Sequence, residues 1–201
     1  MSNIDLVSMV PTANALLAAG ATVTAQAREF VKCAAETFEF HRAGFTAESV
    51  AETSAASNAL CALFEVEPPA ARRMHDGGPI IAKAVTWQKQ HAELWNLLVP
   101  SSGACATVQG EVIRIAGRMG DELYRNGGGN WDEHYDRMLA ALCVHMVSHN
   151  ALPDDQLAEC ETVAARVRDD ERLVDRLTEL AVIWVGRNST PIALTKVAYK
   201  R

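Results

Sequence analysis

Apolar residues recur at spacings of three and four along most of the chain, and few segments alternate with a period of two. That periodicity predicts helices almost throughout. Residues Met1 to Val10 are mildly apolar, Pro11 interrupts or restarts a helix, and Gly20 is a stop. Thr22 or Thr24 caps a second helix running to about Arg42, whose apolar positions Phe30, Val31, Ala34, Ala35 and Phe38 recur at three and four residues. After Gly44, Thr46 caps a third helix through Val50, Leu60, Cys61 and Phe64; alanine and serine fill its middle and let a neighbour approach closely. Pro68-Pro69 breaks it. A short helix is expected over Ala70 to His75 and a turn at Asp76-Gly77-Gly78-Pro79. A long helix is then expected from Ile80 to about Val99, with Trp87, His91, Leu94, Trp95 and Leu98 on one stripe.

The second half reads more sharply. Residues 106–126 carry Val108, Val112, Ile115, Met119 and Leu123 on one side, and Gly127 is placed for a left-handed C-terminal cap. Asn130 is expected to cap the next helix, to about Ser148, with Glu133 at capping-box spacing. Asn150 to Pro153 is a linker, and Asp154 and Asp155 open a helix with the stripe Leu157, Cys160, Val163, Ala164 and Val167. Asp169-Asp170 either divides it from a helix through Leu177, Leu180 and Trp184 or lies within one continuous helix. The tail from Ser189 to Arg201 alone has some β character (Ile192, Leu194, Val197, Tyr199). About seven to nine helices with short connections imply an all-α multi-helix bundle, with at most a short β segment near the C-terminus. The breaker Pro100 to Gly103 suggests halves of 1–100 and 104–188, followed by a basic tail of 189–201, in one domain or two closely packed halves.

Composition narrows the function classes. Apolar residues are 49% and charged residues 22% of 201, which suits a folded globular chain rather than a disordered one. The net charge of −6 disfavours direct nucleic-acid binding through phosphate neutralisation. No apolar run approaches the ~20 residues of a membrane-spanning helix, and no basic patch precedes an apolar core at the N-terminus. The expectation is a cytoplasmic protein. The five cysteines (Cys33, Cys61, Cys105, Cys143 and Cys160) form no Cys-x-x-Cys pair, so they are expected to be reduced and mostly packed as small hydrophobes.

The most distinctive stretch runs from Gly103 to Asp132. Gly103, Gly110 and Gly117 stand seven apart; a glycine inside a helix costs roughly 1 kcal/mol against alanine, so close helix crossing is expected there. Glu111 to Arg114, Arg118 to Glu122 and Asp121 to Arg125 have ion-pair spacing. Arg114 and Arg118 could instead hold an anion. Gln109-Gly110-Glu111, Gly117-Arg118, Asp121-Glu122 and Arg125-Asn126-Gly127 with Asn130-Trp131-Asp132 resemble a run in small uncharacterised bacterial and phage helical proteins. The resemblance covers about 30 residues, brings no defined activity, and admits an anti-CRISPR-type factor. Physically the run reads as a helical hairpin with a glycine turn, pinned by Trp131.

Three constellations bear on chemistry. His134, His145 and His149 fall near one helix face and could ligate zinc or iron, although no Glu accompanies them in a His-Glu-x-x-His arrangement. Glu36 with Glu39, and Glu133 with Asp136, are similar to the magnesium-binding pairs of all-α nucleotide pyrophosphohydrolases, at a much longer separation than that family shows. No phosphate-binding loop and no Gly-x-Ser-x-Gly elbow are present.

Charge is uneven. Residues 46–67 hold four glutamates and no Lys or Arg, and Asp154 to Glu179 holds nine acids against four bases. Asp154, Asp155, Glu159 and Glu161 share the start of one helix, with no basic residue until Arg166. An acidic helical face can dock on a basic protein surface. The expectation is therefore a non-enzymatic protein that binds another protein through these four residues, without metal or cofactor. A counter-defence inhibitor of a nucleic-acid-binding complex is one form of it. A magnesium-dependent pyrophosphohydrolase is the alternative, and a helical nucleic-acid-binding regulator is a weaker third.

Overall fold

Threonines open three of the helices. The side chains of Thr24, Thr46 and Thr107 accept the backbone N–H groups of Ala27, Ser49 and Gly110, satisfying donors that a helix start leaves without partners. The computed structural model describes residues 3–197 and Tyr199; Met1, Ser2 and the expected tail charges Lys200 and Arg201 lie outside the described residues. The described residues form eight α-helices and no strand, an all-α architecture. They divide into two compact units, one ending at Arg72 and the other beginning at Arg73. The division falls earlier than the Pro100 to Gly103 breaker, because the helix before that breaker packs with the helices after it.

The first unit holds α1 (Asn3–Ala18), α2 (Ala25–His41), a 3-10 turn (Arg42–Gly44) and α3 (Ala47–Leu63). Pro11 lies inside α1 and does not interrupt it. α3 packs on both α1 and α2. The core is small and alanine-rich: Leu6 and Ala13 meet Val31, Ala34, Ala35, Phe38, Ala56, Leu60 and Cys61. The short side chains of α3 allow the close approach that its sequence suggests. Glu39 ties the unit's end down, binding Arg42 at 2.9 Å and accepting the Arg72 backbone N–H at 2.8 Å.

No helix forms over 70–86, which corrects two expectations. Ala70 to His75 is irregular, and the helix expected from Ile80 begins only at Trp87. The backbone donors here have other partners. Arg72 N–H bonds Glu39, His75 N–H bonds the Leu97 carbonyl, and Ile80 N–H bonds the Ser189 carbonyl. The Glu93 carboxylate accepts from both Lys83 and Ala84 N–H. With Ile80 itself buried, residues 73–86 are held against the second unit by these bonds.

The second unit contains α4 (Trp87–Leu98), α5 (Val108–Asn126), α6 (Glu133–Met146), α7 (Asp154–Arg166), a 3-10 turn (Glu171–Leu173) and α8 (Val174–Arg187). α5 is its axis. It packs against α4, α6 and α8, and Val112, Ile113, Ile115, Ala116 and Met119 are wholly inaccessible. The glycine spacing has the expected cause at two positions. A Cβ on Gly110 would stand 3.1 Å from the Leu98 carbonyl, and one on Gly117 would overlap the Trp95 ring. Gly103 lies outside the helix, where φ is +83°. Asp169-Asp170 does divide the last two helices, since α7 ends at Arg166.

Gly127 closes α5 in the left-handed conformation (φ +57°), as its place after Asn126 predicts. The cap of α6 is Asp132, not Asn130; its carboxylate accepts from His134 and Tyr135 N–H. Asn130 serves Glu122 instead, donating its backbone N–H at 2.6 Å and its amide at 3.3 Å. Trp131 is buried, stacks on Tyr135 and donates Nε1–H to Asp136 at 2.7 Å. Glu133 pairs with Arg137 rather than closing a capping box.

Among the described residues the tail's β character amounts to one antiparallel bridge, Thr107 with Ala193. Gln109 holds the same segment: its amide donates to the carbonyls of Asn188 and Thr190 and accepts from Ile192 N–H. Among the described residues no helix is long and apolar enough to cross a membrane.

Candidate protein-binding face

α6 has two apolar sides. Tyr135, Met138, Leu142 and Met146 face the core. Ala140 and Val144, with Val147 just beyond the helix end, recur at four and three residues on the opposite side. Val144 is 62% and Val147 57% exposed. No described element of the unit covers that stripe.

α7 packs beside α6. Its buried stripe is Cys160 and Val163, continued by Val167, and its solvent side carries Asp154, Ala158, Glu161 and Ala165. Cys143 on α6 and Cys160 on α7 influence each other electrostatically, and the Glu161 carboxylate acts on both. Cys143 directly precedes Val144, so Glu161 borders the exposed apolar stripe. Asp154 shares the solvent side of Glu161 two turns earlier on α7.

The four acids expected to form one surface separate into two sets. Asp154, Asp155 and Glu161 are exposed. Glu159 turns toward α8, where Arg176 grips it with two bonds of 2.8 and 2.6 Å and binds Glu179 at 2.7 Å. The hydrogen bonds from Arg176 hold the Glu159 carboxyl below its ordinary range against a smaller opposing effect of burial. Glu159 is thus neutralised by a base distant in sequence, which the count of charges up to Arg166 does not see. It does not share the unpaired, exposed state of Asp154, Asp155 and Glu161.

The polar residues of α5 are largely internal. Glu111 and Arg114 do pair, at 2.6 Å, but both are buried rather than on a solvated ladder. The Tyr199 hydroxyl donates to Glu111 at 2.5 Å. Burial alone would raise the Glu111 carboxyl, yet the bonds from Arg114 and Tyr199 outweigh it and hold the group below its ordinary value. Burial, with Glu111 beside it, pushes the Cys105 thiol up to about 12. Arg114 is therefore committed to the core, while Arg118 is exposed, and the two do not form an anion site together. The Glu122 carboxylate, expected to meet Arg118, accepts instead from Asn126, Asn130 and the Tyr135 hydroxyl. Asp121 pairs with Arg125 as expected.

The metal-ligand candidates scatter. His134 and His145 are partly buried and His149 is exposed at φ +55°. Burial lowers the His145 imidazole, partly opposed by Glu111. Glu36 and Glu39 belong to the first unit; Glu133 and Asp136 belong to the second and are occupied by Arg137 and Trp131. Among the described residues no group of three or more His, Cys, Asp or Glu is placed to hold a metal ion.

Compared with known proteins, the chain matches no family model, no curated protein and no solved structure. The site rests on its own geometry. Its apolar half was missed by reading the acids alone, although the spacing of Ala140, Val144 and Val147 carries the signal: a second stripe opposite the first, on a helix that needs only one to pack.

Proposed function

We propose that the protein works by binding another protein through the α6–α7 face. The observation that carries this reading is the solvent-facing stripe Ala140–Val144–Val147 with Asp154 and Glu161 along its border. Single exposed apolar residues are ordinary, but aligned ones with a charged rim have the anatomy of an interface. The rim specifies the partner's chemistry: a basic surface with apolar side chains at its centre. A nucleic-acid-binding protein has such a surface. Docking on a nuclease complex, the counter-defence form of this reading, would use Asp154, Asp155 and Glu161.

Affinity capture from the source cells tests it. The wild-type chain and a Val144→Asp/Val147→Asp variant, matched in circular dichroism, are compared as baits. The reading predicts a protein retained by the first and lost from the second. Identical capture by both baits would place any interface elsewhere.

A further inference from the structure

The C-terminal segment lies against the start of α5 as an extended peptide lies in a groove. Val108 N–H, a donor that the helix leaves without an internal partner, donates to the Ile192 carbonyl at 2.8 Å. Leu194 N–H donates to the Ala106 carbonyl at 3.1 Å, and the two bonds flank the bridge of Thr107 with Ala193. The wholly buried Gln109 carboxamide spends its amino group and its oxygen on the segment's backbone, at Asn188, Thr190 and Ile192. Ile192 and Leu194 pack on the core, whereas Ala193 between them is exposed. Further on, Tyr199 is buried. Its hydroxyl donates to Glu111 at 2.5 Å, and the Arg114 guanidinium stands 5.9 Å from its ring centre.

We propose that residues 106–114 form a docking groove for an extended segment, one that holds the chain's own residues 189–199 in cis and takes the same segment from a second copy of the chain. Two kinds of recognition combine there. Backbone pairing and the Gln109 carboxamide hold an extended strand of any sequence, as when a peptide adds to an exposed edge. Selection among sequences falls to the side chains of Ile192, Leu194 and Tyr199. The buried Glu111–Arg114 pair makes the tyrosine specific, because a buried ion pair is tolerated only where its remaining hydrogen-bonding capacity is met, and the Tyr199 hydroxyl meets part of it. A second copy is the matching occupant, since its tail carries the same groups that already fit the groove in cis.

The segment is built to leave without unfolding its unit. It belongs to no helix, and Ser189, Thr190, Ala193, Thr195 and Lys196 are exposed. The axis of the unit, α5 against α4, α6 and α8, is made by other residues. Peripheral segments with few buried contacts open at a lower free energy than core helices. In cis the segment competes at a high effective concentration, so whatever loosens the cis copy favours exchange with a second one. None of these residues belongs to the α6–α7 face, so the fate of this groove does not decide that of the face.

A fluorescent synthetic peptide of residues 187–201 is titrated into the full wild-type chain and into its Tyr199→Ala variant, matched in circular dichroism. The expected result is saturable binding, at least about tenfold tighter to Tyr199→Ala, whose loosened cis segment competes less. Unlabelled peptide should displace the probe, and a peptide carrying Ile192→Asp with Tyr199→Ala should not bind. Hydrogen exchange of the wild-type chain gives a readout that needs no variant. The amides of Val108, Ile192 and Leu194 should exchange together, and ahead of those of Val112 to Ala116 in the α5 core. The proposal is overturned if the peptide binds neither chain or both equally, if a scrambled peptide binds as well, or if the three amides exchange only with the α5 core.

Discussion

Gly117 of α5 lies under the indole of Trp95 on α4, so close that a methyl group there would overlap ring atom Cζ3 and stand 2.9 Å from Cε3. Three residues on, Gly120 has room: its Cβ would meet only Val174, at 3.9 Å. The two substitutions should therefore differ in sign. Gly120→Ala should stabilise by roughly 0.5–1 kcal/mol, the ordinary gain of alanine over glycine in a helix. Gly117→Ala should destabilise by about 1–3 kcal/mol, because overpacking at a rigid ring outweighs the same gain. Urea denaturation of both variants checks this; stabilisation by Gly117→Ala would mean that α4 does not cross α5 at that ring.

The start of α6 offers a second test. Asp132→Ala removes the side chain that caps the helix and should cost about 1 kcal/mol. Trp131→Ala should cost about 3–5 kcal/mol, since the ring is buried and stacked on Tyr135. A neutral Trp131→Ala in denaturant titration would show the ring to be solvent-facing.

Stability should also fall with acid in two stages. Burial lowers His91 and His145 from the ordinary 6.5. A histidine lowered in the fold binds its proton more readily when unfolded, so the stability it confers is full above that value and declines as pH drops below it. The carboxyls of Glu111 and Glu159 are held below the ordinary 4.5. Their contribution is present above that value and is lost as pH falls further. The urea midpoint should hold steady down to about pH 7, decline through pH 6 and 5, and drop again below 4.5. His145→Asn should shrink the first decline and leave the second. A flat midpoint between pH 7.5 and 5 would contradict the buried neutral imidazoles.

How far the sequence revealed all this depends on the range of each interaction. Periodicity and caps are local, so the helical architecture, the Gly127 stop, the Thr46 helix start, the start at Thr22 or Thr24 and the buried Trp131 were legible. The failures are long-range competitions. Ile80 reads as helical, but Ser189 takes its N–H from across the unit. Asn130 has cap chemistry, but Glu122 takes it and leaves Asp132 to cap. Glu159 resembles its acidic neighbours until Arg176 arrives from α8. In the candidate face, Asp154, Asp155 and Glu161 were legible from charge alone, whereas Val144 and Val147 required knowing which side of α6 the core uses.

The central claim is that the α6–α7 face binds a protein with a basic, apolar-centred surface. Association kinetics with a captured partner, measured across ionic strength, tests it most directly. Asp154→Lys with Glu161→Lys should slow association by about tenfold and flatten its dependence on salt, because rim charges steer encounter. Val144→Asp with Val147→Asp should mainly speed dissociation. If both double variants bind with the wild-type rates at every salt concentration, this face is ordinary solvated surface and the account is contradicted.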